Sequence, residues 1–455
     1  MNNSNSKKKL KKRKNGISYP KLAAVSFLAI ILIGSMLLML PESSKDGQVS
    51  FVDALMTATS ATCVTGLVVA DTFTKWTLLG QLIILCMIQI GGLGFITIIT
   101  LLIRIVKKRF SVKEKILFRE SIGSIFTGDM KSLGRRVIIG TIMFEVVGAV
   151  VLSTQFIPSM GWKNGLYTAV FLSVSAFCNA GFDVMGRIEA GSSLMTVNDK
   201  PIILLTICAL IIIGGIGFIV WDDLVEKKFR FKQLSLHTKI TLVTTLVLLM
   251  LGTCLYLAFE YSNTMKDMSF GEKLLNAFFT STTTRTAGFN SINTGDMADS
   301  SKLLTYFLML IGGSSASTAG GIKTTTVAVL FLCALATLNG TKEVTAFGKS
   351  ISEENVRRAI SVTLINLSFV IAASFIIAMV QPTLKYFDIL FECFSAVGTV
   401  GMSTGITASL AAVPKLIITL LMFIGRLSSL TFVFSIRFEN NLTTVKKPVG
   451  NILVG

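Results

Sequence analysis

Hydrophobic runs of about 20 residues recur along the chain, and between successive pairs of runs lies a shorter, semi-polar stretch that ends in glycine. A run of about that length crosses a bilayer core of roughly 30 Å as a helix. The pattern predicts eight spanning segments, near 22–40, 77–103, 137–157, 202–221, 240–259, 303–338, 359–380 and 416–436. The shorter stretches are "FVDALMTATSATCVTGL" (51–67), "YTAVFLSVSAFCNAGF" (167–182), "LNAFFTSTTTRTAGF" (275–289) and "YFDILFECFSAVGTVGM" (386–402). About 12 helical residues rise roughly 18 Å, too little to cross. Each stretch must therefore enter from outside, stop part-way and return. Returning backbone at membrane depth is tolerated only where protein covers it or water is present. Four such hairpins, each flanked by two full helices, meet that condition by surrounding a common axis. The expected fold is all-α and membrane-integral: four helix–hairpin–helix repeats arranged pseudo-fourfold around a central pore.

The hairpins share a register. With Gly66, Gly181, Gly288 and Gly401 aligned, the residues six upstream are Ser60, Ser175, Thr282 and Ser395, always a hydroxyl. Five upstream stand Ala61, Ala176, Thr283 and Ala396; one downstream stand Leu67, Phe182, Phe289 and Met402. A second glycine set, Gly91, Gly214, Gly312 and Gly425, falls in the spans that follow. One such glycine alone would mean only close helix packing; four in register indicate a repeated architecture. The repeats are placed at 22–103, 137–221, 240–338 and 359–436. Cytoplasmic linkers are expected at 104–136 and 222–239, with tails at 1–21 and 437–455.

Composition agrees with a membrane protein: 52% hydrophobic, 15% charged, mean hydropathy +0.71. Charge placement adds orientation. With a cytoplasmic N-terminus and alternating spans, 30 of the 43 Lys and Arg fall on the inner side, the asymmetry that puts both termini in the cytoplasm of a multi-pass plasma-membrane protein. The net charge of +18 therefore reflects short inner loops, not nucleic-acid binding. The run "KKKLKKRK" (7–14) is a solvated tail that can touch anionic lipid. The first span is too long for a signal peptide and lacks a small-residue cleavage site. Seven cysteines without CxxC spacing and one histidine, His237, leave no metal or disulfide framework. With no clustered nucleophile either, an enzyme is set aside and no covalent cofactor is expected.

A dehydrated cation needs oxygen ligands, and backbone carbonyls supply them without net charge. Turning successive carbonyls inward requires unusual dihedrals, which glycine adopts cheaply. The candidate filter segments are Cys63, Val64, Thr65 and Gly66; Cys178, Asn179, Ala180 and Gly181; Arg285, Thr286, Ala287 and Gly288; and Gly398, Thr399, Val400 and Gly401. The short helices end there, so their negative dipole ends favour a cation, while Asp53 and Asp388 suit the positive outer ends. The sixth span is broken by Gly312, Gly313, Ser314, Ser315, Ala316, Ser317, Thr318, Ala319, Gly320 and Gly321. Ten weakly helical residues just inward of the filter are read as a flexible gate that obstructs the path and moves to open it. A packing kink would need one or two glycines, and "GGIKTTT" departs from a P-loop because Ile322 separates Gly321 from Lys323. Lys323 marks the inner end of the loop. Arg426, beside Gly425, is expected to bond the loop and set an electrostatic barrier. Arg285 should point behind the filter toward an acid or carbonyls. Glu145, the carboxylate well inside a span, is a candidate partner for it or, more simply, one side of an interhelical hydrogen bond.

The motifs "TCVTGL", "FCNAGF", "TRTAGF", "TVGMS", "IGGSSASTAGGIKTTT" and "FIGRLSSLT" together resemble the Trk/Ktr/HKT superfamily of potassium uptake proteins, most nearly the bacterial Ktr-type membrane subunit. The resemblance runs from about residue 20 to 440. It implies potassium as the transported ion, with selectivity tied to glycine at all four filter positions and sodium permeability to serine in the first; whether a sodium ion is coupled is left open by the sequence. It also implies a moving intramembrane loop, a homodimer with one pore per subunit, and a cytosolic nucleotide-binding ring of the RCK type as regulator. The competing reading is an alternating-access, sodium-coupled cation symporter, which also uses repeats and broken spans. The common orientation of all four repeats favours a radial pore.

Overall fold

The structure, a computed structural model, describes residues 19–105 and 130–427. The basic run at 7–14, most of the 104–136 linker and the 437–455 tail lie outside the described residues. Repeat 1 comprises α1 (Tyr19–Leu38), the short α2 (Phe51–Cys63) and α3 (Leu78–Ile105). Repeat 2 comprises α4 (Met130–Met160), the short α5 (Trp162–Phe177), and α6 (Pro201–Gly215) with α7 (Phe218–Glu226). Repeat 3 comprises α8 (Leu236–Glu260), the short α9 (Phe270–Thr283), α10 (Asp299–Leu310) and α11 (Thr324–Leu338). Repeat 4 comprises α12 (Glu353–Val380), the short α13 (Tyr386–Gly398) and α14 (Ala412–Leu427). A small antiparallel hairpin, β1 (Val344–Ala346) and β2 (Lys349–Ile351), joins α11 to α12.

Among the described residues, α1, α4, α8 and α12 are each long and apolar enough to cross a membrane, and the bent pair α6–α7 passes the same test together. Outward faces carry exposed hydrocarbon, including Val150, Leu246, Leu364 and Phe375. The interior is polar by contrast: Thr57, Thr59, Ser60 and Thr62 are all buried on α2. Hydrocarbon outside and hydroxyls inside is the pattern of a chain solvated by lipid around a polar axis.

Two helices break where the hydropathy is unbroken. The predicted span at 202–221 turns by 90° between α6 and α7, around Gly217 with φ +100. The predicted span at 77–103 carries a non-helical Gly94 (φ 69, ψ 177). Glycine embedded in "IIIGGIGFI" and "IQIGGLGFI" permits a break without lowering local hydropathy, so periodicity alone missed both.

The order of packing is cyclic. Each second helix packs on the short helix of the next repeat: α3 on α5, α6 on α9, α10 on α13, and α14 back on α2. Lys415 at the start of α14 pairs with Asp53 in the first turn of α2 at 2.7 Å, closing the ring between repeats 4 and 1. Asp53 also accepts a hydrogen bond from its N-cap Ser50, so the carboxylate sits at the positive end of α2.

Candidate ion-conduction site

The four short helices stop at one level, and the chain that follows each repeats one backbone conformation. Val64, Asn179, Thr286 and Thr399, each two residues before the register glycine, have φ of 57, 60, 69 and 50. The glycines themselves have φ of 93, 69, 79 and 93 for Gly66, Gly181, Gly288 and Gly401. A left-handed residue, an ordinary one and a positive-φ glycine in sequence need the missing Cβ at the last position.

Close approach requires it too. A Cβ on Gly66 would stand 2.7 Å from the Ala180 carbonyl oxygen, on Gly181 2.6 Å from that of Ala287, on Gly288 2.5 Å from that of Val400, and on Gly401 2.1 Å from that of Thr65. Each glycine thus meets the carbonyl of the residue before the glycine in the next repeat, and the series closes on itself. The four segments named from sequence converge on one axis, with Cys63 and Gly398 forming the last residues of α2 and α13.

Hydrogen bonds hold the strands to their own short helices. Thr65, Ala180 and Val400 donate their N–H groups to the carbonyls of Ser60, Ser175 and Ser395, each at 2.8 Å. The same serine hydroxyls accept from Gly66 N, Phe182 N and Gly401 N at 3.0 Å. Repeat 3 slips by one residue. Thr282, aligned with those serines, donates to Phe278 O on its own helix, and Thr283 instead donates to Phe289 O at 2.8 Å. Both are threonine, so sequence alignment could not tell them apart. The second glycine set has a packing role in three repeats: a Cβ on Gly91, Gly214 or Gly425 would strike the carbonyl of Thr62, Phe177 or Val397 in the last turn of a short helix. Gly312 faces Gly320 O and Thr286 instead.

The broken span forms a pinched loop. Gly312 N donates to Ile322 O at 2.8 Å and Thr324 N to Gly313 O at 3.1 Å, which ties the two ends together. One flank touches the level of the four strands, since Gly320 packs on Thr399 and Gly321 on Gly398. Its other flank fills the α6–α7 corner, with Ser314 N on Gly215 O and Phe218 N on Ala316 O, both at 2.8 Å. Ser314 Oγ lies 3.2 Å from Thr241 Oγ1, and Ser317 Oγ donates to Ser314 O within the loop. Ser315 O and Ala316 O crowd the space that a Cβ on Gly217 would take.

Three cations surround this centre. Arg426 donates to the carbonyls of Thr318 in the loop and Gly91 in α3, bridging repeats 3 and 1 from repeat 4. Lys323 donates to Ala319 O at 2.8 Å and Gly320 O at 3.3 Å, so its ammonium curls back onto the loop and does not extend to an inner surface. Arg285 turns behind its strand toward α8, with Nη2 3.4 Å from Thr245 Oγ1, and its Nε has no partner among the described residues. No acid among the described residues meets it there. Glu145 accepts from Gln89 Nε2 at 3.3 Å and lies against Cys178 Sγ, so it links α4 to α3 and not to Arg285.

Beyond the strand of repeat 2 and outside the spanning helices, Asp183 follows Phe182. Burial raises its carboxyl from 3.8 to about 6, and the Asp71 carboxylate adds to the rise while Met185 N and Ser193 oppose it. The native state therefore holds this proton more tightly than the unfolded chain, and its contribution to stability falls as pH rises between these two values. Asp183→Asn should raise the thermal midpoint of the purified protein by about 2 °C at about pH 7.5 and leave it unchanged at about pH 4. An equal shift at both values would contradict the assignment.

The chain matches the family model described as TrkH, cation transport protein, over residues 5–442. It is 40% identical to the potassium/sodium uptake protein NtpJ of Enterococcus hirae, covering 99% of both chains. It is 39% identical to Ktr system potassium uptake protein B of Bacillus subtilis, covering 96% of both. The chain belongs to the TrkH cation-transport family. The fold matches the solved structure of the potassium transporter TrkH from Vibrio parahaemolyticus with a TM-score of 0.74, over 93% of this chain and 86% of that one, at 16% identity. A TrkH-family chain is a multi-pass membrane transporter and not an enzyme.

Proposed function

We propose that this chain is the potassium-conducting membrane subunit of a Ktr-type uptake system. The observation that carries the reading is the closed series of four positive-φ glycines, each against the preceding carbonyl of the next repeat. Carbonyls of the filter strands take the place of the hydration shell as the ion sheds water. The short helices aim their negative ends at the same level, which favours a cation and adds no fixed charge that would hold it. Glycine stands in all four positions, and of two relatives one is named for potassium uptake and the other for potassium/sodium uptake.

The loop 312–321 is the gate. It lies directly inward of Thr286 and Thr399, it meets repeats 2 and 4 at Gly215 and Gly398, and Arg426 links its Thr318 carbonyl to Gly91 of repeat 1. Arg426 and Lys323 hold its carbonyls and place positive charge on the inner path. Both termini are cytoplasmic, and the basic inner loops meet a nucleotide-binding cytosolic ring. The subunit works as a homodimer in the membrane, with one pore per chain.

Uptake in a potassium-requiring bacterial strain, measured with and without sodium, tests the reading; the potassium/sodium name of the E. hirae relative makes the sodium arm necessary. Conductance far above carrier turnover supports a pore over alternating access. Gly66→Ser should raise sodium permeability relative to potassium by about ten-fold, because a Cβ at that position displaces the Ala180 carbonyl. An unchanged permeability ratio in that variant would contradict the filter.

A further inference from the structure

We propose that Glu392 is a positioning residue for the outer end of the fourth filter strand, and thereby a determinant of discrimination between potassium and sodium. The inference rests on the filter reading above. Glu392 lies in α13, nine residues before Gly401, and is 1% exposed. The residues at the same register in the other repeats are Thr57, Leu172 and Phe279, also buried. A carboxyl therefore occupies a position where the other three repeats bury a hydroxyl or hydrocarbon. A buried carboxyl is costly unless it is hydrogen-bonded, so its partners indicate what it does.

Those partners all lie just past the filter strand. Glu392 accepts hydrogen bonds from Ser403 Oγ and, at 2.8 Å, from Thr407 Oγ1. The backbone N–H of Thr404 adds a third. Ser403 Oγ in turn accepts from Gly405 N at 2.8 Å and lies 2.9 Å from Thr407 Oγ1. Gly405, with φ +98, lets the chain fold back onto the helix. Ser403 is two residues beyond Gly401.

The strand itself is held by Ser395, whose carbonyl and hydroxyl accept from Val400 N and Gly401 N. Glu392 and Ser395 are three residues apart on one helix and share a face. Helix α13 thus fastens the strand through Ser395, at Val400 and Gly401, and the chain just past the strand through Glu392, at Ser403 and Thr407. Repeats 2 and 3 fasten the matching outer residue to loops instead: Asp183 accepts from Met185 N, and Asn290 accepts from Thr294 Oγ1 in its own loop and from Leu194 N in the loop of repeat 2. A rigid outer end on repeat 4 keeps the Val400 carbonyl against Gly288, so loosening it lets the ring contract around a smaller ion.

The test measures the sodium-to-potassium permeability ratio of the full-length protein in proteoliposomes, from reversal potentials. Ser403→Ala combined with Thr407→Val, which leaves the carboxyl in place, should raise the ratio about five-fold. Glu392→Ala should raise it equally, and all three changes together should add nothing further, because the groups act as one unit. Glu392→Gln keeps an acceptor oxygen and should fall between wild type and Glu392→Ala. A residue that only supports folding would lower yield and total flux and leave the ratio alone. If Glu392→Ala does not fold, the Ser403 and Thr407 pair decides. Gly66→Ser is measured alongside. If it shifts the ratio while the Glu392 and Ser403/Thr407 variants keep the wild-type value, or if their shifts add, the clamp is refuted and the filter stands. If Gly66→Ser also leaves the ratio unchanged, the filter reading fails first.

Discussion

Gly401→Ala should reduce potassium uptake by at least about a hundred-fold at matched membrane abundance. The new Cβ would stand 2.1 Å from Thr65 O and 2.9 Å from Gly66 Cα, both backbone atoms. Thr65 cannot retreat easily, because its N–H is bonded to Ser60 O and the next N–H to Ser60 Oγ. The substitution also forces a side chain into φ +93, a cost of roughly 1–2 kcal/mol in the left-handed region. Gly405 supplies the control. It has nearly the same φ, +98, yet a Cβ there meets nothing within 4 Å. Gly405→Ala should therefore retain uptake within about three-fold of wild type, since it bears the dihedral cost alone. Rubidium uptake into cells separates the two. Similar losses in both variants would show that backbone strain, not the meeting of four strands, makes glycine necessary at 401.

Removing the Arg426 side chain is expected to act in the opposite direction. Arg426→Ala deletes charge-assisted hydrogen bonds from repeat 4 to the Thr318 carbonyl in the loop and the Gly91 carbonyl in α3. Each such bond is worth about 1.5–3 kcal/mol when its partners are buried. Losing the one to the loop shifts a closed–open equilibrium by about ten-fold or more. Potassium flux in proteoliposomes without any regulatory protein should rise accordingly. Deleting residues 314–318 should raise it as well, since that segment carries the contacts to Gly215 and Thr241. If both variants conduct like wild type, the loop is not a gate.

The sequence and the structure agree most closely where one residue type meets one physical demand. The register glycines were legible because positive φ and backbone contact exclude every other side chain there. Their partners two residues earlier were not legible: Val64, Asn179, Thr286 and Thr399 share a left-handed conformation but no chemistry. The hydroxyl six residues upstream was correct in three repeats and slipped to Thr283 in the third, where two adjacent threonines look alike. The corner at Gly217 stayed hidden because glycine among isoleucines leaves the hydropathy of a span intact while removing its straightness. The loop's break was visible from its ten small residues, whereas its docking into that corner depended on a bend the periodicity does not encode. Glu392 could be suspected only by asking why one of four aligned buried positions carries an acid.

The cyclic packing order has a consequence for biosynthesis. Translation and membrane insertion proceed from the N-terminus, but α2 waits for α14, more than three hundred residues later, to cover its exposed flank and to bring Lys415 to Asp53. Gly401, which meets Gly66, is itself made more than three hundred residues after it, so the ring of four glycines stays open until the fourth repeat is in place. A nascent chain arrested before residue 399 lacks the fourth strand, so its first three strands have no closed ring of carbonyls to offer an ion.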